Sequence, residues 1–307
     1  MAMWLVCAGG LLTSCIKEDT TNCLKEVRVY FTFSADAINA DQVDRMHLYL
    51  FDQNKRFVEE YRDDNIPHFG PDYYISFTDL MTGAYRFIAW GGKDERDYAT
   101  EPATFVKGQT TFDEALLTLN HTGGVVTTQP HPLFHSDIQA NVVVNEKLQL
   151  FYMPLTQLTN TINVSTVGLP ANTNSYRFEI ADNNCTYTFD KMFASHNHGI
   201  FTYKASCSKD GAGQLFSSLR VMRLAADRHT PQLKIVNEAN GTVLYPFGEQ
   251  PSDLIGIILK AIPQNNFETT HTYDIVLTFT GGGSTGFDVT ITVNGWEVKD
   301  EPNDLVE

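Results

Sequence analysis

The sequence is dominated by short runs in which apolar and polar residues alternate with the two-residue period of a β-strand. Residues 27–33 read VRVYFTF, with β-branched and aromatic side chains in the strand. Residues 46–51 and 56–58 flank the sequence DQNK, which is typical of a β-hairpin turn. Similar runs follow at 73–77, 85–90 and 133–138. Many short runs at spacings of about 8–12 residues predict an all-β chain built of β-sandwiches.

The strand pattern falls into two sets that meet near residue 155. The first set ends with residues 142–152, and after Pro154 the second set begins with residues 158–167. The chain has 307 residues, which is enough for about two domains of roughly 100–200 residues each. We therefore predict two tandem β-sandwich domains, at residues 27–155 and 156–307.

Two segments within these sets need a separate assignment. Phe112, Leu116 and Leu119 share one face of a helix, so residues 112–119 predict a short helix. Residues 254–259 follow a proline and an acidic residue, and we predict a further strand there.

The N-terminal residues indicate export and lipid attachment. Residues 1–12 carry no charge and are shorter than the roughly 20 residues of a membrane-spanning helix, as in the core of a secretion signal. They lead into Leu12-Thr13-Ser14-Cys15, which resembles the lipobox of bacterial lipoproteins. Small residues before the cysteine let the peptide bond enter the signal peptidase, and the cysteine thiol receives the diacylglycerol. We predict a signal peptide at residues 1–14, an acylated Cys15 and a lipidated tether at residues 15–26.

The charge of the chain limits its partners. A net charge of −15 repels phosphate backbones and excludes a polybasic contact with a membrane, so nucleic acid is not expected as a partner. Attachment to a membrane would depend on the lipid at Cys15, in which each buried CH₂ contributes about 0.8 kcal/mol. Lys17-Glu18-Asp19 resembles the tag that sends Bacteroidota lipoproteins to the outer face of the outer membrane. We therefore predict a lipid-anchored, surface-exposed outer-membrane protein.

The chain has five cysteines, of which Cys7 would leave with the signal peptide and Cys23 lies in the tether. Cys185 and Cys207 lie on two successive strand-like runs, so a cross-strand disulfide between them is possible in an oxidising compartment. Two buried thiols are the alternative. No pair of cysteines has the spacing of zinc ligands.

The remaining motifs do not predict an enzyme, a cofactor or a metal site. Residues 282–286 match G-x-S-x-G, but a nucleophile elbow requires a helix after the serine, and here a strand-like run follows. His131 and His135 are four residues apart, yet the prolines beside His131 oppose the helix that would align them on zinc. Asp63-Asp64-Asn65 lacks the rest of a calcium-binding EF-hand loop.

Several of these stretches, taken in order, resemble the fimbrial anchor family of Bacteroidales, the lipoproteins at the base of type V pili. The shared features are a lipobox cysteine, an acidic tether with a second cysteine, and an ordered set of strand motifs. In this sequence they are Cys15, Cys23, VRVYFTF (27–33), LYLFDQNKRFV (48–58), GAYRFIAWGG (83–92), LTNTINV (158–164) and VTITVNGWEV (289–298). Each motif is short, but their order behind a lipobox covers most of the chain.

The resemblance implies two transthyretin-like β-sandwich domains in an outer-membrane surface lipoprotein that anchors or assembles fimbriae. Its partners would be fimbrial structural subunits, which dock by strand addition, and the outer membrane, which holds the lipid on Cys15. Two alternatives stay open: a fimbrial stalk or tip subunit that acts as an adhesin, and a glycan-binding surface lipoprotein.

Overall fold

The computed structural model describes residues 26–33, 42–126, 128–142, 148–169, 174–194, 199–248, 250, 252–283 and 286–298. These residues form mostly strands, which confirms the all-β prediction. The strands of the first half are β1 (Glu26–Phe33), β2 (Met46–Asp52), β3 (Phe57–Asp63), β4 (Tyr74–Phe77), β5 (Gly83–Gly91), β6 (Tyr98–Glu101), β7 (Leu116–Leu119), β8 (Val125–Val126), β9 (Phe134–Val142) and β10 (Leu148–Gln157).

The second half contains the remaining strands and one α-helix. The strands are β11 (Thr159–Val167), β12 (Tyr176–Asp182), β13 (Thr186–Thr188), β14 (Phe201–Ser206), β15 (Ser208–Lys209), β16 (Leu215–Met222), β17 (Gln232–Asn237), β18 (Val243–Tyr245), β19 (Thr272–Gly283), β20 (Gly286–Val293) and β21 (Trp296–Glu297). The helix, α1, spans Leu254–Ala261.

The first sandwich is a seven-stranded sheet in the order β3-β2-β5-β9-β10-β1-β4 that folds over on itself. In a flat sheet β4 and β5 would lie roughly 19 Å apart, at about 4.8 Å per strand. The ring centroids of Phe77 on β4 and Phe87 on β5 are nevertheless 6.2 Å apart. The sheet therefore forms two facing leaves: leaf A is β4-β1-β10 and leaf B is β3-β2-β5-β9. Val29, Leu48 and Met153 are buried in the core between them.

The second sandwich packs a six-stranded sheet, β15-β16-β11-β19-β20-β21, against a five-stranded sheet, β18-β17-β12-β14-β8. Helix α1 contributes Leu254, Ile257 and Ile258 to the same core. The strand predicted at residues 254–259 is therefore wrong. A short, uninterrupted apolar run does not distinguish a buried strand from a buried helix. Here Asp253 caps the helix, because its carboxylate accepts a hydrogen bond from the Gly256 backbone NH at 3.1 Å.

A small sheet, β13-β7-β6, covers the outer side of leaf B. Its packing includes Phe189, whose ring centroid lies 5.0 Å from that of Tyr49 on β2. The helix predicted over residues 112–119 is wrong. Phe112–Glu114 is a single 3₁₀ turn, and β7 then pairs with β6 and with β13. Partner strands on both sides outweigh the helical spacing of three apolar residues in so short a run.

Strands of the two halves pair with each other. Besides the β7–β13 pair, β8 of the first half pairs in parallel with β14 of the second. Between the two sandwiches, Leu158 alone separates β10 from β11. The domain limits at residues 27–155 and 156–307 stay a prediction. Within the described ranges, no helix has the length and apolarity that crossing a membrane requires.

Candidate docking site: an unpaired sheet edge

Strand β10 is paired along one side and largely unpaired along the other. Its residues from Leu148 to Leu155 pair in parallel with the whole of β1. On the other side, among the described residues, β10 pairs with β9 at two positions, Thr156 and Gln157. The pairing with β9 stops at Thr156, two residues after Pro154, which has no backbone NH to donate. Residues 148–155 therefore present an open edge roughly 23 Å long, at about 3.3 Å per residue.

The open edge is uncharged, and it is apolar on its outer face. The sequence of β10, LQLFYMPLTQ, contains no ionisable side chain that is charged at neutral pH. Leu148, Leu150 and Tyr152 point outward and are 46 %, 45 % and 58 % exposed. Neighbouring exposed apolar side chains of this kind are typical of interaction surfaces.

The inner face of the same edge borders an incompletely covered part of the core. Phe151 on β10 is half-buried, and its ring centroid lies 5.9 Å from that of Phe87. Across the gap, Ile138 and Ala140 of β9 are also half-buried and pack against the core of the first sandwich. In the described residues no strand joins this part of β9 to the facing part of β10. The gap therefore offers apolar contacts as well as free backbone groups.

A row of three tyrosines crosses the outer face of leaf A. Tyr30 on β1 lies between Tyr74 on β4 and Tyr152 on β10, with ring centroids 5.2 Å and 5.5 Å away. The Arg28 guanidinium lies 4.7 Å from the centre of the Tyr74 ring and forms an ion pair with Glu26 at 2.7 Å. Among the described rings, Tyr152 is thus stacked on one side only, and it is the end of the row that borders the open edge.

The other edge strands are protected or short. The outer strand of leaf B, β3, reads FVEEYRD and carries four charged side chains. Charges on an edge strand oppose pairing with another chain. The edge strands β4, β8, β15, β18 and β21 have two to four residues each. Residues 286–290 of β20 extend beyond β21, and Asp288 places a carboxylate in that stretch.

A group of ionisable side chains lies beside β3, on the side of leaf B away from β10. The ring nitrogens of buried His47 lie 3.1 Å from Glu60 Oε1 and 3.2 Å from Asp64 Oδ1. Burial lowers the pKa of His47. Burial also lowers the pKa of Lys93 to about 8, and within the described residues its ammonium has neither an ion-pair nor a hydrogen-bond partner. In the described part of the chain, no group of three or more His, Cys, Asp or Glu side chains is arranged to hold a metal ion.

The structure also locates the residues that the sequence singled out. Cys15 and the tether lie outside the described residues. Cys185 and Cys207 are free thiols at opposite ends of β12, because the Cys207 NH donates to the Tyr176 carbonyl while Cys185 follows Asp182. The strand between these ends is about 20 Å long, and a disulfide needs Cα atoms less than about 7 Å apart. The possible disulfide is therefore not formed.

The histidines and the G-x-S-x-G match have structural surroundings. His131 Nδ1 lies 2.6 Å from Asp97 Oδ2, whereas His135 Nε2 donates to the Phe189 carbonyl at 2.8 Å. Burial lowers the pKa of His135 to about 4. In residues 282–286 the first two glycines end β19 and the last begins β20, while Ser284 lies outside the described residues. The segment after it is a strand, so the geometry of a nucleophile elbow is missing.

A cleft of about 580 Å³ lies on the outer face of the six-stranded sheet. Half-exposed Phe216 lines it together with serine, amide and carboxylate side chains. Asn163 Nδ2 donates to Asp274 Oδ1 at 2.7 Å and holds these two groups at the cleft. One apolar ring among hydroxyl, amide and carboxylate groups is a suitable lining for a polar ligand with apolar faces.

The open edge is not apparent in the sequence. The strand pattern predicts strands at residues 133–138 and 142–152, whereas the structure has β9 at Phe134–Val142 and β10 at Leu148–Gln157. The available signal is a run without charged residues from 148 to 157, which contains Pro154. That signal does not reveal which side of the strand is unpaired, because pairing depends on distant strands.

Comparison with known proteins gives one family match and a set of similar structures. The family model described as fimbrillin-A associated anchor proteins Mfa1 and Mfa2 matches residues 19–302. The fimbrial anchor protein Mfa2 from Porphyromonas gingivalis is 20 % identical, with a TM-score of 0.73, and the match covers 90 % of this chain and 99 % of that one. No curated protein matches the sequence.

Two further solved structures share the fold. One, from Bacteroides thetaiotaomicron, is described as putative polysaccharide binding proteins; it is 20 % identical with a TM-score of 0.72, and the match covers 90 % of this chain and 98 % of that one. The other, a putative adhesin from Bacteroides ovatus, is 20 % identical with a TM-score of 0.70, over 89 % and 94 % of the two chains.

Proposed function

The chain belongs to the family of fimbrillin-A associated anchor proteins Mfa1 and Mfa2, and on that premise we propose that it anchors a fimbria by docking a fimbrial subunit on β10. Membership of this family implies an association with the cell surface. The proposal adds the docking mode, which is strand addition, and the position of the acceptor edge.

The open side of β10 is the observation that carries this proposal. In strand addition, main-chain hydrogen bonds supply affinity, and pockets for alternate side chains supply specificity. Along residues 148–155, alternate residues direct their backbone groups to the open side, and β9 satisfies them only beyond Leu155. No other edge in the described part of the chain combines this length with an absence of charge.

Attachment to the outer membrane is the second part of the proposal. An acyl group on Cys15 would precede β1 by eleven residues, which span at most about 38 Å at roughly 3.5 Å per residue. Leaf A would then lie near the membrane, and a subunit docked on β10 would be held at the base of the fibre. The lipid would carry the membrane affinity, since the acidic chain offers no polybasic contact.

A deletion and complementation experiment tests both parts. Cells that lack the gene should shed their fimbriae into the medium, and the wild-type gene should restore attachment. The Leu150→Lys/Tyr152→Lys variant should stay in the membrane but fail to retain fimbriae, because both side chains are exposed and border the docking edge. Cys15→Ala should release the protein from the membrane. Tyr61→Lys on β3 is the matched control and should behave as wild type. Fimbriae that stay attached without the gene would refute the anchor role.

Glycan binding is a second candidate function, supported by the cleft around Phe216. An aromatic face packs against the apolar side of a sugar ring, and the Asn163–Asp274 pair supplies hydrogen-bonding groups beside it. The similar structure described as putative polysaccharide binding proteins agrees with this candidate. Binding on a glycan array that is lost in Phe216→Ala and kept in Leu150→Lys would support it, and an array without binding would exclude it.

A further inference from the structure

The open edge of β10 has two faces, and both are mostly apolar beside the gap; buried Gln149 is the one polar side chain on the inner face of residues 148–155. Outward, Leu148, Leu150 and Tyr152 are exposed, and inward, half-buried Phe151 faces the gap to β9. An edge strand that only completes a sandwich usually has one apolar face and one polar face. The outer face of β10 therefore lacks the polar side chains that a solvent-facing sheet normally carries.

We infer that the strand that docks on β10 is apolar on both of its faces: an uncharged run of about eight consecutive, mostly apolar residues from a fimbrial subunit. The inference rests on the proposed docking function and adds the chemistry of the partner segment. Inward-pointing side chains of that strand would lie in the gap beside Phe151, Ile138 and Ala140. Outward-pointing side chains would lie next to Leu148, Leu150 and Tyr152 at the cross-strand distance of about 4.5–5.5 Å.

The first sandwich already contains a strand of this type. In β2, which reads MHLYLFD, six consecutive residues are buried. Leu48 and Leu50 face the core between the leaves, while Tyr49 and Phe51 face the small sheet on the other side. A strand that is covered on both faces needs apolar residues at consecutive positions. A strand docked on β10 would have the core on its inner face, and on its outer face the exposed apolar side chains of β10 would lie beside it.

The charges near the edge give a charged segment no partner. On the outer face of leaf A, Arg28 and Glu26 are paired with each other. On β9, Asp137 is paired with Arg86 of β5. The C-terminal residues 299–307 of this chain, KDEPNDLVE, contain five charges and a proline, so they do not fit the edge. Residues 299–307 of a second copy are therefore not the occupant, and a segment of a fimbrial subunit fits the proposed docking function.

Tyr152 predicts the residue type at one position of the docked strand. Its ring stacks on Tyr30 from the β1 side, with centroids 5.5 Å apart, and the side toward the open edge has no aromatic neighbour among the described residues. A residue of the docked strand directly opposite Tyr152 would complete the tyrosine row. Aromatic and β-branched residues form the favourable cross-strand pairs with tyrosine, so one of them is expected at that position.

The test uses two labelled peptides and the chain from residue 15 onward. This shorter chain lacks residues 1–12, which form an uncharged apolar run of their own and would compete with the peptides. One peptide has Val or Ile at all of about eight positions; the other alternates Val or Ile with Ser. Lysine pairs at both ends keep both soluble. Fluorescence anisotropy measures affinity, and hydrogen exchange locates the protected amides. We expect the first peptide to bind at least about tenfold tighter and to protect residues 148–155.

Two variants distinguish the loss of an outer apolar contact from a general loss of folding. Tyr152→Ser should weaken the all-apolar peptide by about tenfold and leave the alternating peptide unchanged, because only the former covers the outer face. Tyr61→Ser on β3 should affect neither peptide. Equal affinities for the two peptides, with β10 protected, would overturn the two-faced partner and leave the docking edge standing. Protection of another strand, with β10 unprotected, would overturn the proposed docking edge as well.

Discussion

Strands β3 and β10 lie in the same folded sheet, and among the described residues each has one side that is largely unpaired, but their side chains differ. Four of the seven residues of β3 are charged, whereas β10 has no charged residue in ten. An edge strand that must stay unpaired is blunted by charges, and an edge that lacks them is a template for another chain. The charges of β3 oppose pairing with another strand, and the uncharged edge of β10 is consistent with the proposed docking of a strand there.

The surroundings of the two strands follow the same division. Beside β3, buried His47 and Lys93 lie among carboxylates and an arginine, so the local structure contains ionisable groups even where it is buried. Beside β10, the buried and half-buried groups include Phe87, Phe151 and Ile138, and the buried polar side chain of residues 148–155 is the uncharged Gln149. A charge added to β10 should therefore weaken docking. Removal of the buried charge beside β3 should instead raise the free energy of unfolding.

The largest effect is expected from the side chain that connects the leaves. Phe87 is fully buried, and its ring contacts Phe77 on β4 and Phe151 on β10. Phe87→Ala should lower the free energy of unfolding by about 3–5 kcal/mol, because it removes these contacts and leaves a cavity. Tyr61→Ala on β3 should change it by less than about 0.5 kcal/mol. Urea denaturation measures both variants, and equal losses would show that leaf A is not held through Phe87.

The next effect concerns the buried lysine on the β3 side. The Lys93 pKa is about 8 rather than 10.5, which corresponds to about 3 kcal/mol of destabilisation when the ammonium is charged. Lys93→Met should therefore stabilise the protein by up to about this amount at pH 7. Between about pH 8 and pH 10.5 the unfolded chain keeps the proton that the folded chain has released. Wild-type stability should rise with pH in this window.

Urea denaturation at pH 7 and at pH 10 provides the measurement for Lys93. The difference between wild type and Lys93→Met should shrink at the higher pH, since the wild-type lysine is then largely neutral in the folded state. A difference that is the same at both pH values would attribute the gain to packing and not to the buried charge.

The smallest effect is expected from exchanging the character of the two edges. Leu150→Lys places a charge on β10, and Glu59→Val removes an exposed charge from β3. The first variant should weaken self-association at high concentration and the second should strengthen it, each by no more than about fivefold. Sedimentation equilibrium measures the association constants. Stronger association of Leu150→Lys would contradict the role assigned to β10.

The strand pattern predicted much of the fold, because it depends on local periodicity. The hairpin around DQNK appears as β2 and β3, and the runs at 27–33 and 85–90 appear within β1 and β5. The two wrong assignments, at 112–119 and 254–259, fall on short apolar runs whose state depends on other parts of the chain. Strand β7 is set by pairing with β13, and α1 is set by the Asp253 cap and burial on one side.

The docking edge could be predicted only in part. The sequence marks residues 148–157 as apolar and uncharged, and Pro154 as a place where pairing can stop. It does not state that β1 occupies one side and that β9 turns away from the other, because strand pairing depends on contacts between separate parts of the chain. The family was indicated by motif order and is confirmed by the match over residues 19–302. Acylation of Cys15 stays a prediction.

Hydrogen–deuterium exchange of the protein, alone and bound to its fimbrial subunit, tests the account most directly. If the subunit adds a strand to β10, the alternate amides of residues 148–155 that face the open side should exchange at least about 100-fold more slowly in the complex, since each of them gains a hydrogen bond in a protected ladder. Amides on the free side of β3, within residues 58–63, should exchange at unchanged rates. Unchanged exchange at β10 together with new protection at β3 would contradict the assignment of the docking edge.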